Sequence, residues 1–174
     1  MLSDRQKEYI KSLPKETAEK PVMIFPWDER GLEIAQSVIN DIHSVEPTLE
    51  VFLRGSLPLR IAGQKDIDIT SLDVSSNFEI HKLNLEKVLG IPNKINDSSI
   101  VWHFIKDGYE VSFYIVDPKK SDKLQRQTEM NNLFLNNPNL LAQYERLKIS
   151  LNNSPYKFYL EKKYEFFNMI FAKK

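Results

Sequence analysis

The chain has 174 residues, with 24 Lys and Arg balancing 24 Asp and Glu, 41% hydrophobic content and no cysteine. That length carries one domain with a substantial core, and zero net charge removes any global field that would draw a nucleic-acid backbone or an acidic membrane. The missing cysteines exclude disulfides, thiolate nucleophiles and Cys-ligated zinc. With no apolar run of membrane-span length and no signal core in Met1 to Glu8, the expected location is the cytoplasm.

Residues 4–13 read as a short polar helix ended by Pro14, and Pro21 to Pro26 as an extended segment pinned by prolines. Asp28 is placed to cap a helix reaching about Ser44, with Leu32, Ile34, Ala35, Val38, Ile39, Ile42 and Val45 on its apolar face. His43 reads as a surface or helix-end residue. Residues 49–54 alternate as a strand and deliver Arg54-Gly55-Ser56 at its end. A compact connection, Leu57 to Lys65, has room for one helical turn. It leads to a second strand over 66–72, Asp66-Ile67-Asp68-Ile69 onward.

Ser75 or Ser76 caps a helix over 77–89, expected to turn Ile80, Leu83, Leu85 and Val88 inward, to leave His81 exposed and to stop at Gly90. Residues 100–105 and 109–116 flank Asp107-Gly108, a strong hairpin signal. A two-residue turn there pairs Lys106 with Tyr109, Ile105 with Glu110, Phe104 with Val111 and His103 with Ser112. Glu110, Ser112 and His103 then share a polar face, and Trp102, Phe104, Val111, Phe113 and Ile115 the core side. After Asp117-Pro118 the pattern is helical, over 121–135, 139–152 and 155–172, with Ser154 and Pro155 as a start signal for the last helix. The five glycines form neither a Walker A loop nor a dinucleotide fingerprint.

Chemistry gathers at the Gly-Ser turn and the acidic strand. Side chains alternate along a strand, so Asp66 and Asp68 share a face while Ile67 and Ile69 bury the other. Two carboxylates this close repel unless a cation sits between them, and Mg²⁺ is held by one or two carboxylates together with substrate phosphates. Backbone comes nearest a phosphate where there is no side chain, which is what Gly55 offers, and the Ser56 hydroxyl and nearby N–H groups can hold its oxygens. Glu110, on the polar face of a third strand, is the candidate to complete the acidic cluster.

These residues resemble the GrpB family of the nucleotidyltransferase superfamily, and the resemblance runs over nearly the whole chain. Ile24-Phe25-Pro26-Trp27-Asp28 is similar to the family's opening segment, Leu53-Arg54-Gly55-Ser56 to its Gly-Ser signature, and Gly63 to Ile69 to its lysine-then-acid strand. Asn137-Pro138-Asn139, Tyr144 to Lys148, Tyr159 and Lys163 are similar to its closing pattern. Leu57 stands where the family usually has Thr, the connection to the acids is shorter, and Asn131-Asn132 replaces a common Arg-Asp pair. Either Asp66 or Asp68 matches the family's principal acid. The resemblance implies a nucleotidyltransferase-like α+β fold: a small mixed sheet with helices over about 22–117 and a helical part of three helices over 118–174, in one domain.

Two functions follow as expectations. One is metal-dependent transfer of a nucleotidyl group from a nucleoside triphosphate to an unknown acceptor. Asp66, Asp68 and Glu110 would hold Mg²⁺ or Mn²⁺, Gly55 and Ser56 the outgoing phosphates, and Arg54, Lys65, Lys148 and Lys163 the triphosphate charge. The other is a non-catalytic nucleotide- or partner-binding module on the same fold. Net charge does not indicate nucleic acid as a partner, although five lysines against two glutamates between Lys157 and Lys174 offer a local contact.

Overall fold

Each element of the structure, a computed structural model, is described for residues 1–120 and 122–172, with backbone alone at 122–125. The described residues form two units, a helical one (residues 1–26, 62–64 and 130–172) and a sheet one (27–61, 65–120 and 122–129). No described helix is long and apolar enough to cross a membrane.

The sheet unit is built on five strands: β1 (Val51–Arg54), β2 (Asp66–Leu72), β3 (Lys94–Asn96), β4 (Ser99–Lys106) and β5 (Tyr109–Val116). Their order is β1-β2-β5-β4-β3, with β2 and β5 parallel and the other pairs antiparallel. Asp107 (φ 51°) and Gly108 (φ 82°) both adopt the left-handed conformation that a two-residue hairpin demands. The predicted register follows, from Lys106 opposite Tyr109 to His103 opposite Ser112.

One sheet face is covered by α3 (Arg30–Val45) and α4 (Phe78–Leu89). Ile34, Ala35, Val38 and Ile42 pack there with Ile67, Ile69, Val111, Phe113 and Ile115 in one buried cluster. Trp102 stacks on Phe113 at 5.6 Å, and its Nε1 donates to the Gly90 carbonyl at 2.9 Å, so the buried indole is both packed and satisfied.

Four sequence expectations need correction, the first at the start of α4, whose N-cap is Asn77 rather than Ser75 or Ser76. On α4, Phe78, His81 and Leu85 are the buried residues, while Ile80 and Leu83 are 63% and 59% exposed and Val88 also faces solvent. The reason is polar. His81 Nδ1 lies 3.1 Å from Glu46 Oε1 and Nε2 lies 2.5 Å from Asp73 Oδ2, so a histidine bridging two carboxylates turns the helix, and Ile80, Leu83 and Val88 face outward while Leu85 stays in the core as expected. Asp28 is not the N-cap of α3, which falls at Glu29, although Asp28 Oδ1 accepts from the Arg30 N–H. Ser154 likewise does not cap the last helix; its hydroxyl donates to the Leu151 carbonyl. The short elements α2 (Lys15–Glu19) and β3 carried no clear signal, and the predicted helix start at residue 121 lies outside the described residues.

The helical unit contains α1 (Asp4–Lys11), α2, α6 (Pro138–Ser150) and α7 (Tyr156–Phe171); α5 (Asp122–Asn136) begins in the sheet unit and ends here. Its core joins Ile10 and Val22 to Leu151, Tyr159 and Leu160. The Pro-rich segment is extended as expected and pairs with the α6–α7 turn: Val22 N–H donates to Ser154 O, and Asn153 N–H to Val22 O. Further along, Phe25 and Gly63 exchange backbone hydrogen bonds, and Glu145 Oε1 accepts from the Ala62 N–H at 2.7 Å.

Candidate active site

The turn at residues 55–56 ends β1, and the acids stand on β2 beside it. Gly55 has φ +78°, a conformation that glycine adopts without strain. A Cβ placed on it would lie 3.2 Å from Asp68 Oδ2, so the absent side chain is what lets the Asp68 carboxylate approach the turn. The β1–β2 ladder sets Arg54 opposite Asp68, and the parallel β2–β5 ladder sets Asp66 opposite Glu110 and Asp68 opposite Ser112. Cross-strand partners share a face, so Arg54, Asp66, Asp68, Glu110 and Ser112 all rise from the face opposite the α3–α4 layer. Asp66 and Asp68 are half-buried, and Glu110 is exposed.

Lys65 precedes β2, its carbonyl accepting from the Glu110 N–H at 2.9 Å, which fixes the start of the parallel pair. Its Nζ lies 5.8 Å from the centre of the Tyr109 ring. Arg54 is partly buried, its guanidinium 5.3 Å from the Phe52 ring centre; burial lowers its pKa, and its Nε has no hydrogen-bond partner among the described residues. Lys148 and Lys163 belong to the helical unit. Lys148 is buried on α6 with Nζ 5.5 Å from the Tyr144 ring centre, and Lys163, on α7, is 5.9 Å from those of Tyr159 and Phe167.

A brace behind the turn went unrecognised in the sequence. Trp27 Nε1 donates to the Leu57 carbonyl at 3.0 Å, with the Arg60 guanidinium 5.6 Å from the indole centre. Tyr109 OH donates to Asp28 Oδ2 at 2.7 Å. Burial, then this hydrogen bond to a carboxylate, pushes the Tyr109 hydroxyl up to about 12, while the Tyr109 bond and the Arg30 N–H hold Asp28 below its usual range. The only signal for this brace was the Pro-Trp-Asp segment itself.

A divalent cation suits this donor set. Two carboxylates on one face, beside backbone that lacks a side chain, match a cation shared between one or two carboxylates and substrate phosphates. Among the described residues, no three His, Asp or Glu side chains gather closely enough to hold a metal ion by themselves. The remaining ligands would then be phosphate oxygens and water.

No protein-family model matches the chain. No curated protein matches it in sequence. Solved structures do match in fold. GrpB from Enterococcus faecalis superposes with a TM-score of 0.64 at 13% identity, covering 86% of this chain and 99% of that one. Cid1, described as having RNA terminal uridylyl transferase activity, superposes with a TM-score of 0.55 at 14% identity over 82% of this chain. The chain spans 46% of the Cid1 chain. The fold is therefore GrpB-like and nucleotidyltransferase-like.

Proposed function

We propose that the sheet unit carries a metal-dependent nucleotidyltransferase site, moving a nucleotidyl group from a nucleoside triphosphate to an acceptor hydroxyl or phosphate. The observation that carries this reading is the approach of Asp68 to Gly55: a carboxylate dyad on β2 lies against backbone left bare for a phosphate. Asp66 and Asp68 hold Mg²⁺ or Mn²⁺, and Glu110 adds negative charge along the same face. A bound cation neutralises charge on the phosphates in an in-line displacement. Gly55 admits the outgoing phosphates to the turn, and the Ser56 hydroxyl holds one of their oxygens. Arg54 and Lys65 offset triphosphate charge at either end of the dyad. Trp27 and Asp28 act through Leu57 and Tyr109 to keep the turn in place. The fold shared with Cid1 agrees with a nucleotide as substrate.

Calorimetric titration with triphosphate, with and without Mg²⁺, tests the site. Asp66→Asn and Asp68→Asn relieve repulsion within the pair but remove a metal ligand, so the variants fold and lose Mg²⁺-dependent binding. Ser56→Ala loses one hydrogen bond to a charged group, roughly 1.5–3 kcal/mol, or about tenfold to a hundredfold in affinity. Wild-type protein that binds no triphosphate, or Asp variants that bind like wild type with the same Mg²⁺ dependence, refutes the reading.

Arg54 supports a second reading. Standing opposite Asp68 in the ladder, Arg54 puts a positive charge on the same face as that carboxylate, and such a charge competes with a cation. A module of this kind binds nucleotide without transfer. Release of pyrophosphate separates the two.

A further inference from the structure

The ladders align four side chains in one row across the sheet: Arg54 on β1, Asp68 on β2, Ser112 on β5 and His103 on β4. All four rise from the same face, and His103 stands two strand spacings from Asp68, about 10 Å between backbones. The imidazole is held in place. Its Nδ1 is 2.8 Å from Ser112 Oγ, and its ring meets Tyr114 edge-on at 5.8 Å and 82°. Asn93 Oδ1 accepts from the His103 N–H, anchoring β4 at this residue. His103 is nonetheless exposed, so its outer edge is open to a substrate.

From this row we infer that His103 is the proton acceptor for the attacking acceptor hydroxyl, an inference that rests on the transfer reaction proposed above. With Nδ1–H donating to Ser112 Oγ, Nε2 keeps its lone pair and points away from the serine. That lone pair is the proton acceptor a general base needs. The hydroxyl proton passes to Nε2 as the acceptor oxygen bonds to the α-phosphorus. The bond from that phosphorus to the bridging oxygen breaks, and its electron pair leaves with pyrophosphate. Ser112 is a positioning residue: it fixes the tautomer and the direction of the ring.

The test uses the full chain and three measurements. Nitrogen-15 NMR of wild type is expected to show His103 as the Nδ1–H tautomer, and Ser112→Ala to erase that preference; an Nε2–H tautomer in wild type overturns the inference. His103→Gln is expected to bind Mg²⁺-triphosphate within about twofold of wild type by calorimetry, since it touches neither metal nor phosphate. Single-turnover pyrophosphate release, with an oligoribonucleotide bearing a free 3′-hydroxyl as the acceptor probe, is expected to fall about 10²–10⁴-fold in His103→Gln and to lose the acidic limb of its pH profile. Wild-type rates and an unchanged profile in that variant, with binding intact, overturn the role of His103 alone. A wild type that releases no pyrophosphate overturns the transfer reading and this inference together.

Discussion

Gly55 and Gly108 separate two uses of the same backbone freedom. Both have positive φ, +78° and +82°, but a Cβ at Gly55 meets Asp68 Oδ2 at 3.2 Å while one at Gly108 meets nothing within 4 Å. Alanine in the left-handed region costs about 1–2 kcal/mol at either position. Only Gly55→Ala also pushes on the dyad. Denaturant unfolding is expected to show similar losses for the two variants, and calorimetry to show weakened Mg²⁺-triphosphate binding for Gly55→Ala alone. Tyr109 supplies a pH prediction. Its hydroxyl is raised from 10.0 to about 12 by burial and by its bond to Asp28, so its contribution to stability is complete below pH 10 and is lost as pH rises toward 12. Ultraviolet titration is expected to show Tyr109 ionising late, beside Tyr164, which burial also raises, with the Tyr109 step shifted to lower pH in Asp28→Asn and absent in Tyr109→Phe.

Helix α4 shows how a polar contact sets the rotation of an element. Asp73 receives bonds from His81, from Asn77 and from the Val74 N–H; burial opposes them, yet the net effect holds its carboxyl below the usual range. A depressed acid contributes stability above its ordinary value of 3.8 and loses it as pH falls through the depressed one. His81→Ala removes a partner from both Glu46 and Asp73 and is expected to cost about 2–4 kcal/mol, with a flatter acid limb in the stability profile. Leu85→Ala, in the buried layer, is expected to cost about 2–5 kcal/mol, whereas Leu83→Lys changes stability by about 0.5 kcal/mol or less. Urea denaturation of the three variants checks the order. A large loss at Leu83 would return the helix to the orientation expected from its aliphatic pattern.

At the scale of the whole molecule, a ligand that binds only the folded chain raises its stability. For the site proposed here, a triphosphate at a hundred times its dissociation constant adds about 2.7 kcal/mol, which for a chain of this size moves the melting temperature by about 5–10 °C. Thermal-shift measurement of the four nucleoside triphosphates is expected to show this shift only with Mg²⁺ or Mn²⁺ and to lose it in Asp68→Asn. A shift that ignores the cation places binding outside the dyad. Trp102 and Leu160 lie in separate buried clusters, one in the sheet unit and one in the helical unit. Each cluster has its own apolar source, β4 with its neighbours and α7 with its neighbours.

The strongest local signals were decisive on their own. Asp-Gly fixed the β4–β5 hairpin and therefore the row containing Ser112 and His103, because two positive-φ residues leave one register. Strand parity put Asp66 and Asp68 on one face, and the broad apolar face of α3 chose its buried side. Tertiary structure decided what depends on partners distant in sequence. The parallel pairing that sets Glu110 opposite Asp66, the bond from Tyr109 to Asp28 across 81 positions and the carboxylates that turn α4 all join residues with no local periodicity in common. Periodicity records which residues are apolar; it does not record which buried polar group will find its partner, and in α4 that partner outweighed Ile80 and Leu83.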